Sequence, residues 1–301
     1  MSAAVIATGL GKRYGRRWAL RDCTLEVPRG KVAALVGPNG AGKTTLLHLA
    51  CGILEPSSGT VATLGLTGTD PALLPRIGFV AQDVPLYRTF TVLDMLEFGR
   101  RLNSRWDHGL ALGRVDQLGI PRDERVGHLS GGQRAQLALA LALAKRPELL
   151  LLDEPLASLD PLARREFLQA LMGGVAEDGV TVVLSSHLIT DLERVCDFLV
   201  VLSASRTQVV GDTDELLRTH HVLVGPRRAD RSVGGVGSVI QETHTERQTT
   251  LLVRTQGPIL DPDWSVQEVG LEELVLAYLG EPNATALPPP QLAPVSKGAS
   301  R

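Results

Sequence analysis

Short apolar runs alternate with helical stretches over the first two-thirds of the chain. Runs at residues 31–36, 77–81, 149–152 and 180–185 predict buried strands, and each of them ends where polar or charged residues begin. This alternation is typical of an α/β domain with a largely parallel sheet. Because the carboxyl ends of parallel strands share one edge of the sheet, we expect a ligand to bind there.

Other patterns point to further units in the same domain. Alternating stretches at 4–8 and 24–27, and a later run at 198–202, predict antiparallel strands. From about 83 to 145 the strand pattern gives way to helical periodicity, which predicts an all-helical insertion in the sheet. The helices of this insertion are predicted at 91–101, 107–118 and 132–145.

The composition changes after about residue 218. Strand-like segments at 222–224, 239–242 and 249–254 precede a short amphipathic helix at 271–279, which together predict a small α+β unit. The remainder is rich in Pro, Ala and Ser and is predicted to be a disordered tail. The predicted organisation is therefore 1–217, 218–280 and 281–301, with the helical part of the first domain at about 83–145.

Composition and charge argue against several classes of protein. With 31 basic and 33 acidic residues the formal net charge is −2, which argues against a general nucleic-acid binder. The three cysteines form no C-x-x-C pair and are expected to be core thiols in a reducing compartment. No apolar run approaches the roughly 18 residues that span a bilayer, and the N-terminus lacks the apolar core of a secretory signal. We therefore expect a soluble, cytoplasmic protein.

A glycine-rich loop is the strongest chemical motif. Residues 37–45 read GPNGAGKTT, which matches G-x-x-x-x-G-K-[ST]. Its backbone N–H groups and the following helix N-terminus favour anions, Lys43 can reach the β- and γ-phosphates, and Thr44 can coordinate Mg²⁺. A simple glycine turn is the alternative, but the strand–loop–helix context favours phosphate binding. The predicted loop residues are Gly37, Pro38, Asn39, Gly40, Ala41, Gly42, Lys43, Thr44 and Thr45.

Polar residues at other strand ends extend this candidate site. Asp153 follows the strand at 149–152 directly, where a carboxylate can hold Mg²⁺ through water, and Glu154 could act as general base. A surface D-E-P turn is the alternative for this pair taken alone. His187 and Gln82 follow two other predicted strands. A lone histidine is usually structural, but the strand-end position of His187 beside the acidic pair favours a functional role. The Gln82 amide could reach metal and water, although a glutamine at a strand end is also found without a ligand.

A second anion site is predicted at the start of the helix at 132–145. Ser130 is a natural N-cap, and the glycine N–H groups beside it are exposed. A capped helix after a loop, without ligand, is the alternative. The residues concerned are Ser130, Gly131, Gly132 and Gln133.

This set of motifs resembles that of the ATP-binding cassette (ABC) ATPases. GPNGAGKT corresponds to the Walker A motif, and LSGGQ at 129–133 corresponds to the signature motif. LLLLDE at 149–154 corresponds to the Walker B motif and is followed by SLD at 158–160. Gln82 and His187 also occur in the order that the family shows. Tyr14 lies 23 residues before the loop, where the family carries an aromatic that stacks on adenine; a packed surface aromatic is the alternative. The resemblance covers residues 4–217.

The resemblance implies a P-loop NTPase cassette: a mostly parallel sheet core, an antiparallel β subdomain and an α-helical subdomain, with a small C-terminal α+β unit added. It also implies ATP and Mg²⁺ as cofactors. The loop from Gly40 to Thr45 would cradle the phosphates, while Thr44, Gln82 and Asp153 would serve Mg²⁺. Glu154 would polarise the water and His187 would contact the γ-phosphate.

Members of this family bind two ATP molecules between two head-to-tail cassettes. Ser130–Gln133 of one chain would close the site of the other, and Asp160 would couple the sites. Because this chain has one phosphate loop and one LSGGQ, a second chain is needed, which we expect to be identical. The usual SGLD reads ASLD here, and the stretch after LSGGQ lacks an arginine common in the family; neither change touches a catalytic position.

The resemblance also implies a transporter. A separate transmembrane permease would dock near Gln82, which places the chain on the cytoplasmic face of the membrane, with no nucleic acid expected. The short C-terminal unit resembles that of drug-resistance or ABC-2 export systems. A soluble ABC protein acting on nucleic acid or the ribosome is the alternative, but it would usually carry two cassettes, and Arg227, Arg228 and Arg231 form only a small basic cluster. A regulatory cassette without turnover is disfavoured by the intact Lys43 and Glu154.

Overall fold

The computed structural model describes residues 2–227 and 233–287. The described chain forms three sheets with helices packed around the largest of them. The strands are β1 (Ala3–Tyr14), β2 (Arg17–Pro28), β3 (Val32–Val36), β4 (Ser58–Thr63), β5 (Leu66–Thr67), β6 (Ile77–Val80), β7 (Leu149–Leu152), β8 (Thr181–Ser186), β9 (Phe198–Ser203), β10 (Arg206–Asp212), β11 (His220–Pro226), β12 (Val236–His244), β13 (Gln248–Thr255) and β14 (Ser265–Glu268). The helices are α1 (Lys43–Ala50), α2 (Val92–Leu102), α3 (His108–Gln117), α4 (Gly131–Ala144), α5 (Pro161–Asp178), α6 (Thr213–Thr219) and α7 (Leu271–Gly280).

The central sheet has the order β10-β9-β3-β8-β7-β6. Its strands β3, β7, β8 and β9 are buried along their whole length, as expected of strands covered on both faces. Strands β9, β3, β8, β7 and β6 are parallel to their neighbours, and only β10 is antiparallel. The parallel sheet is therefore confirmed, whereas the antiparallel direction expected for 198–202 is wrong in part: this fully apolar strand runs parallel to β3 and antiparallel only to β10.

An antiparallel sheet of order β2-β1-β4-β5 covers one side of the central sheet. The strands expected at 4–8 and 24–27 are present and much longer, since each reaches 12 residues. Their buried side chains pack with α1 and one face of the central strands into a single core. On the chain between β6 and β7, α2, α3 and α4 form the helical insertion with a core of its own.

The C-terminal unit is an antiparallel sheet of order β12-β13-β11-β14 with α7 packed against it. The apolar side chains of α7 belong to the same core as α4 and α5, so this unit shares the cassette's core. Helix α6 spans the domain boundary expected at 217, which therefore falls within a helix. The division into 1–217 and 218–280 stays a prediction.

The disordered tail expected from Glu281 onward is wrong for its first seven residues. Ala286 is 2% exposed and pairs with Val209 of β10; its N–H donates to the Gln208 carbonyl at 2.8 Å. The Gln208 side chain also donates to the carbonyl of Glu281 at 3.1 Å. Backbone pairing therefore orders this Pro- and Ala-rich segment. Residues 288–301, and Arg228 and Arg231 of the small basic cluster, lie outside the described residues.

Candidate nucleotide-binding site

The phosphate loop leaves the carboxyl end of β3 and enters α1 through backbone that only glycine fits. Gly42 has φ +106°, and a Cβ there would lie 2.5 Å from the carbonyl oxygen of Ala19. A Cβ on Gly37 would lie 2.3 Å from the carbonyl oxygen of Leu202 on β9. The close approach of neighbouring strands thus holds the loop in a tight curve at the N-terminus of α1, which is a favourable position for an anion.

Lys43 lies inside this curve and is only 6% exposed. Its Nζ donates to the Gly37 carbonyl at 2.7 Å and to the Pro38 carbonyl at 3.4 Å. The same Nζ lies 3.0 Å from Oε1 of Glu154, which is 7% exposed. The ammonium is therefore held by partial and full negative charges on two sides, and it connects the loop to the end of β7.

The end of β7 carries two buried carboxylates. Asp153 Oδ1 accepts a hydrogen bond from Ser185 Oγ at 2.8 Å, and the same Oγ accepts one from the backbone N–H of Glu154 at 2.8 Å. Glu154 has φ +46°, a conformation that is uncommon outside glycine and that clusters at functional sites. Its Oε2 lies 2.8 Å from Nδ1 of His187, whose side chain is 44% exposed. Lys43, Glu154 and His187 thus form one continuous chain of contacts.

Ser185 is the residue of this group that the sequence reasoning missed. In the sequence Ser185 is simply the last residue of the predicted strand at 180–185, and in the structure its hydroxyl is completely buried. The sequence signal that could have identified Ser185 is a hydroxyl residue at the carboxyl end of an otherwise apolar predicted strand.

The outer candidates surround this centre, and among the described residues their side chains make no hydrogen bond or ion pair to Lys43 or Glu154. Pro38, Asn39, Gly40 and Thr44 are exposed at the mouth of the loop, and Gln82 is exposed two residues after β6. Tyr14 is 52% exposed at the end of β1, with the Lys12 ammonium 5.7 Å from its ring centroid. Within residues 2–227 and 233–287, no side-chain hydrogen bond joins Tyr14 or Gln82 to Lys43 or Glu154. Their roles stay predictions.

The signature residues form a second, separate pocket. Ser130 caps α4 by accepting from the Gln133 N–H at 3.1 Å, and the Gln133 side chain accepts from the Ser130 N–H at 3.0 Å. Together with Gly131, Gly132 and the loop at Ser158 and Asp160, they line a cavity of about 320 Å³. Asp160 is exposed and caps α5 by accepting from the N–H groups of Leu162 and Ala163, each at 3.0 Å. In the described chain, no side-chain hydrogen bond or ion pair connects this pocket to Lys43.

The residues present fit a phosphate ligand with a hard metal ion. The glycine curve leaves backbone N–H groups for an anion, and Lys43 supplies a cation inside it. In the part of the chain that the structure describes, no group of three or more His, Cys, Asp and Glu side chains is arranged so that it could hold a metal ion by itself. A mixed set of hydroxyl, amide and carboxylate oxygens from Thr44, Gln82 and Asp153 is what Mg²⁺ accepts when phosphate and water complete its shell.

Comparison with known proteins agrees with this geometry. The family model described as "ABC transporter" matches residues 20–157. The Nod factor export ATP-binding protein I of Rhizobium johnstonii is 36% identical over 221 residues, which are 71% of this chain and 71% of that protein. The chain belongs to the ATP-binding cassette family. The antiparallel and helical units described above are accordingly the β and helical subdomains of this ABC cassette, and the sequence-based assignment of the fold is confirmed.

The relatives of this cassette include importers as well as exporters. The sulfate/thiosulfate import ATP-binding protein CysA of Synechocystis sp. is 36% identical over 222 residues, covering 71% of this chain and 62% of that protein. The chain therefore spans less than two-thirds of the length of that importer. The dimeric structure of MJ0796, a bacterial ABC transporter cassette, matches with a TM-score of 0.62 and 26% identity, over 69% of this chain and 98% of that one. In residues 2–227 and 233–287 no helix combines the length and apolar character that a membrane crossing requires.

Proposed function

We propose that this chain binds and hydrolyses MgATP and thereby drives a membrane transporter, of the ABC-2 or drug-resistance export type. The observation that carries the proposal is the continuous chain of contacts from buried Lys43 through buried Glu154 to the partly exposed His187, beside the glycine loop. A buried ion pair opposes folding through desolvation and is weak evidence for stability alone. Buried charges at the carboxyl edge of a parallel sheet, where ligands bind in open α/β folds, are typical of a reaction site.

In this proposal Lys43 exchanges partners when phosphate groups enter the loop. Its Nζ leaves the Gly37 carbonyl and Glu154, and binds β- and γ-phosphate oxygens. Glu154 then loses its cation and can accept a proton from the attacking water. Ser185 holds both Asp153 and the Glu154 backbone in place, and His187 Nδ1 keeps Glu154 oriented. Mg²⁺, when bound by Thr44, Gln82 and Asp153, supplies neutralisation of the phosphate charge.

The signature pocket supports a dimer of cassettes. Ser130, Gly131 and Gly132 place a helix N-terminus beside a polar cavity, yet Lys43 and Glu154 are not connected to it within one chain. A second cassette, arranged head to tail, would bring this anion site onto the phosphates held by the first. The solved structure of MJ0796 is dimeric, and we propose a dimer for two copies of this chain as well.

An apolar groove supports a permease partner. It has a volume of about 530 Å³ and lies between the end of β6 and helices α2 and α4. Ile53, Leu74 and Leu102 on its rim are 58%, 62% and 66% exposed. An exposed apolar groove of this kind marks a binding surface, and its position next to Gln82 would connect a docked permease helix to the nucleotide site.

The proposed direction of transport rests on the C-terminal unit of the chain. The relatives include the importer CysA and the Nod factor exporter, so identity alone does not separate the two directions. We propose export, because the C-terminal unit is short and ends in the helix LEELVLAYLG, as in ABC-2 type subunits. The transported compound would contact the permease rather than this chain.

The test is co-purification from native membranes with a tag at the N-terminus. We expect a multi-span membrane protein to be recovered, with ATPase activity that Glu154→Gln abolishes. Leu102→Glu in the groove should lose the membrane protein, whereas Leu260→Glu, at a residue of the C-terminal unit that is 82% exposed, should keep it. Recovery of ribosomes or nucleic acid without a membrane protein would overturn the transporter proposal in favour of a soluble ABC ATPase.

A further inference from the structure

The β1–β2 hairpin brings an arginine to the open side of the phosphate loop. Tyr14 and Arg17 are opposite residues in the register of this hairpin, joined by a turn in which Gly15 has φ +59°. A Cβ placed on Gly40, at the exposed apex of the loop, would lie 3.8 Å from Nη2 of Arg17. The guanidinium of Arg17 therefore borders the loop, while Tyr14 lies directly across the hairpin from it.

Two other cations of the hairpin, Lys12 and Arg13, are engaged elsewhere. Lys12 Nζ donates to the Glu55 carbonyl at 2.6 Å, and the Arg13 guanidinium lies 5.6 Å from the ring centroid of Trp18. Arg17 is exposed, and within residues 2–227 and 233–287 it makes neither an ion pair nor a side-chain hydrogen bond. An arginine whose donors point to no protein acceptor, next to an anion-binding loop, has its donors available for a ligand.

The chemistry of a guanidinium fits this position. Its planar donors match phosphate oxygens in pairs, and such charge-assisted hydrogen bonds are stronger than neutral ones. The loop contains no acidic residue between Gly37 and Lys43 that would compete for it. Lys43 is buried on the inner side of the loop, so Arg17 adds a second cation on the outer side.

We propose that Arg17 binds the polyphosphate chain of the nucleotide, so that one hairpin supplies both a base contact through Tyr14 and a phosphate contact through Arg17. This inference rests on the proposed function as an ATP-binding cassette. Because the backbone of such a loop cradles the α- and β-phosphates, and Lys43 reaches toward the γ-phosphate, the contact of Arg17 is with the part that ADP and ATP share.

The experiment compares Arg17→Gln with Arg16→Gln in the full chain. Both residues are exposed in the same turn and both changes remove one positive charge, so Arg16→Gln controls for the general electrostatic effect. Calorimetric titration with MgADP, and with MgATP in a Glu154→Gln background, measures Kd without hydrolysis. We expect Arg17→Gln to weaken both ligands about tenfold, equivalent to about 1.4 kcal/mol, and Arg16→Gln to stay within twofold of the parent protein.

Further measurements separate binding from folding. The thermal midpoint of Arg17→Gln without nucleotide should equal that of the parent, since the side chain has no protein partner, while Arg17→Lys should recover part of the affinity. An Arg17→Gln affinity within twofold of the parent, an equal loss in Arg16→Gln, or a loss for MgATP alone would each overturn the inference. Failure of the parent protein itself to bind either nucleotide would instead overturn the proposed function.

Discussion

Two groups of buried polar residues differ sharply in charge. The site centre contains Lys43 and Glu154, both less than a tenth exposed and in contact as ions at 3.0 Å. The junction between the cassette and the C-terminal unit contains His220 and Tyr278, both fully buried. His220 Nε2 lies 2.8 Å from the Tyr278 hydroxyl, and its Nδ1 lies 2.7 Å from the Leu216 carbonyl.

The junction is built to remain neutral. Burial lowers the pKa of His220 below its usual 6.5 and raises the pKa of Tyr278 to about 12. Both ring nitrogens of His220 have partners, so this pair stabilises the packing of α7 without charge. In the site centre, by contrast, Glu154 Oε1 is buried without a hydrogen bond and has only the ion pair with Lys43. A buried charge that is incompletely satisfied is retained where chemistry needs it, whereas a neutral pair suffices for structure.

The largest expected effect is on ATP turnover, which should depend on the site centre and not on the junction. Glu154→Gln removes the proposed general base, and ATP turnover should fall about 10²–10⁴-fold, while MgATP binding remains and the ATP-bound dimer becomes more stable. Steady-state ATPase assays and size-exclusion chromatography with MgATP measure these effects. Glu246→Gln, at an exposed residue of the turn between β12 and β13, is the matched control. Turnover within tenfold of the parent would show that another group acts as base.

Removal of the Lys43 ammonium should weaken the binding of MgATP. Lys43→Ala eliminates a charge-assisted contact worth about 1.5–3 kcal/mol, so MgATP affinity should fall between about tenfold and 150-fold in calorimetry. Lys31→Ala is the control, because Lys31 precedes β3 whereas the loop follows that strand. An unchanged Kd in Lys43→Ala would place the phosphates away from the loop.

A substitution at the junction should lower the stability of the fold without changing catalysis. Tyr278→Phe leaves His220 Nε2 buried without its partner, and we expect a loss of about 1–3 kcal/mol in the free energy of unfolding, with ATP turnover within twofold. Urea unfolding and the ATPase assay measure the two quantities. Tyr87→Phe, at an exposed tyrosine, should change neither. A large fall in turnover for Tyr278→Phe would show that the two groups are coupled.

The smallest effect is a pH dependence. Since the pKa of His220 is lowered in the folded protein, the unfolded chain binds more protons below about pH 6.5, and stability falls as the pH decreases toward the folded pKa. The contribution is at most about 1.4 kcal/mol per pH unit. Unfolding free energies of the parent and of His220→Asn, each measured at pH 7.5 and 5.5, should show a shallower decrease in the variant. Equal decreases would assign the effect to other groups.

Local patterns were sufficient for much of the fold. Strands β3 and β7 are fully apolar, β8 is apolar between Thr181 and its two terminal serines, and α4 begins at an N-cap, so the residues of each segment were enough to predict it. Helix α5 was not predicted, although Asp160 followed by Pro161 is a helix-start signal and Gly179 in the left-handed conformation ends it. The parallel direction of β9 depends on a strand distant in sequence, which no local pattern shows.

The same distinction between local and distant determinants applies to the residues of the site. Linear motifs identified Lys43, Asp153 and Glu154, which the structure brings to one edge of the sheet together with His187. Ser185 and Arg17 were missed, because their positions depend on the register of β8 against β7 and of β1 against β2. The exposed side chains of Tyr14 and Gln82 make no contact in the described chain that would fix their roles, so these remain predictions.

The pairing of residues 284–286 with β10 has a practical consequence for shortened versions of this protein. Val210 N–H donates to the Ala286 carbonyl at 3.1 Å, and the Gln208 carbonyl accepts from the Ala286 N–H. A protein cut after Gly280 would leave these groups unpaired on the edge strand of the central sheet. Bare edges of that kind recruit strands from other molecules and lead to aggregation. A cut after Leu287 keeps these hydrogen bonds, so this version should aggregate less than one that is cut after Gly280.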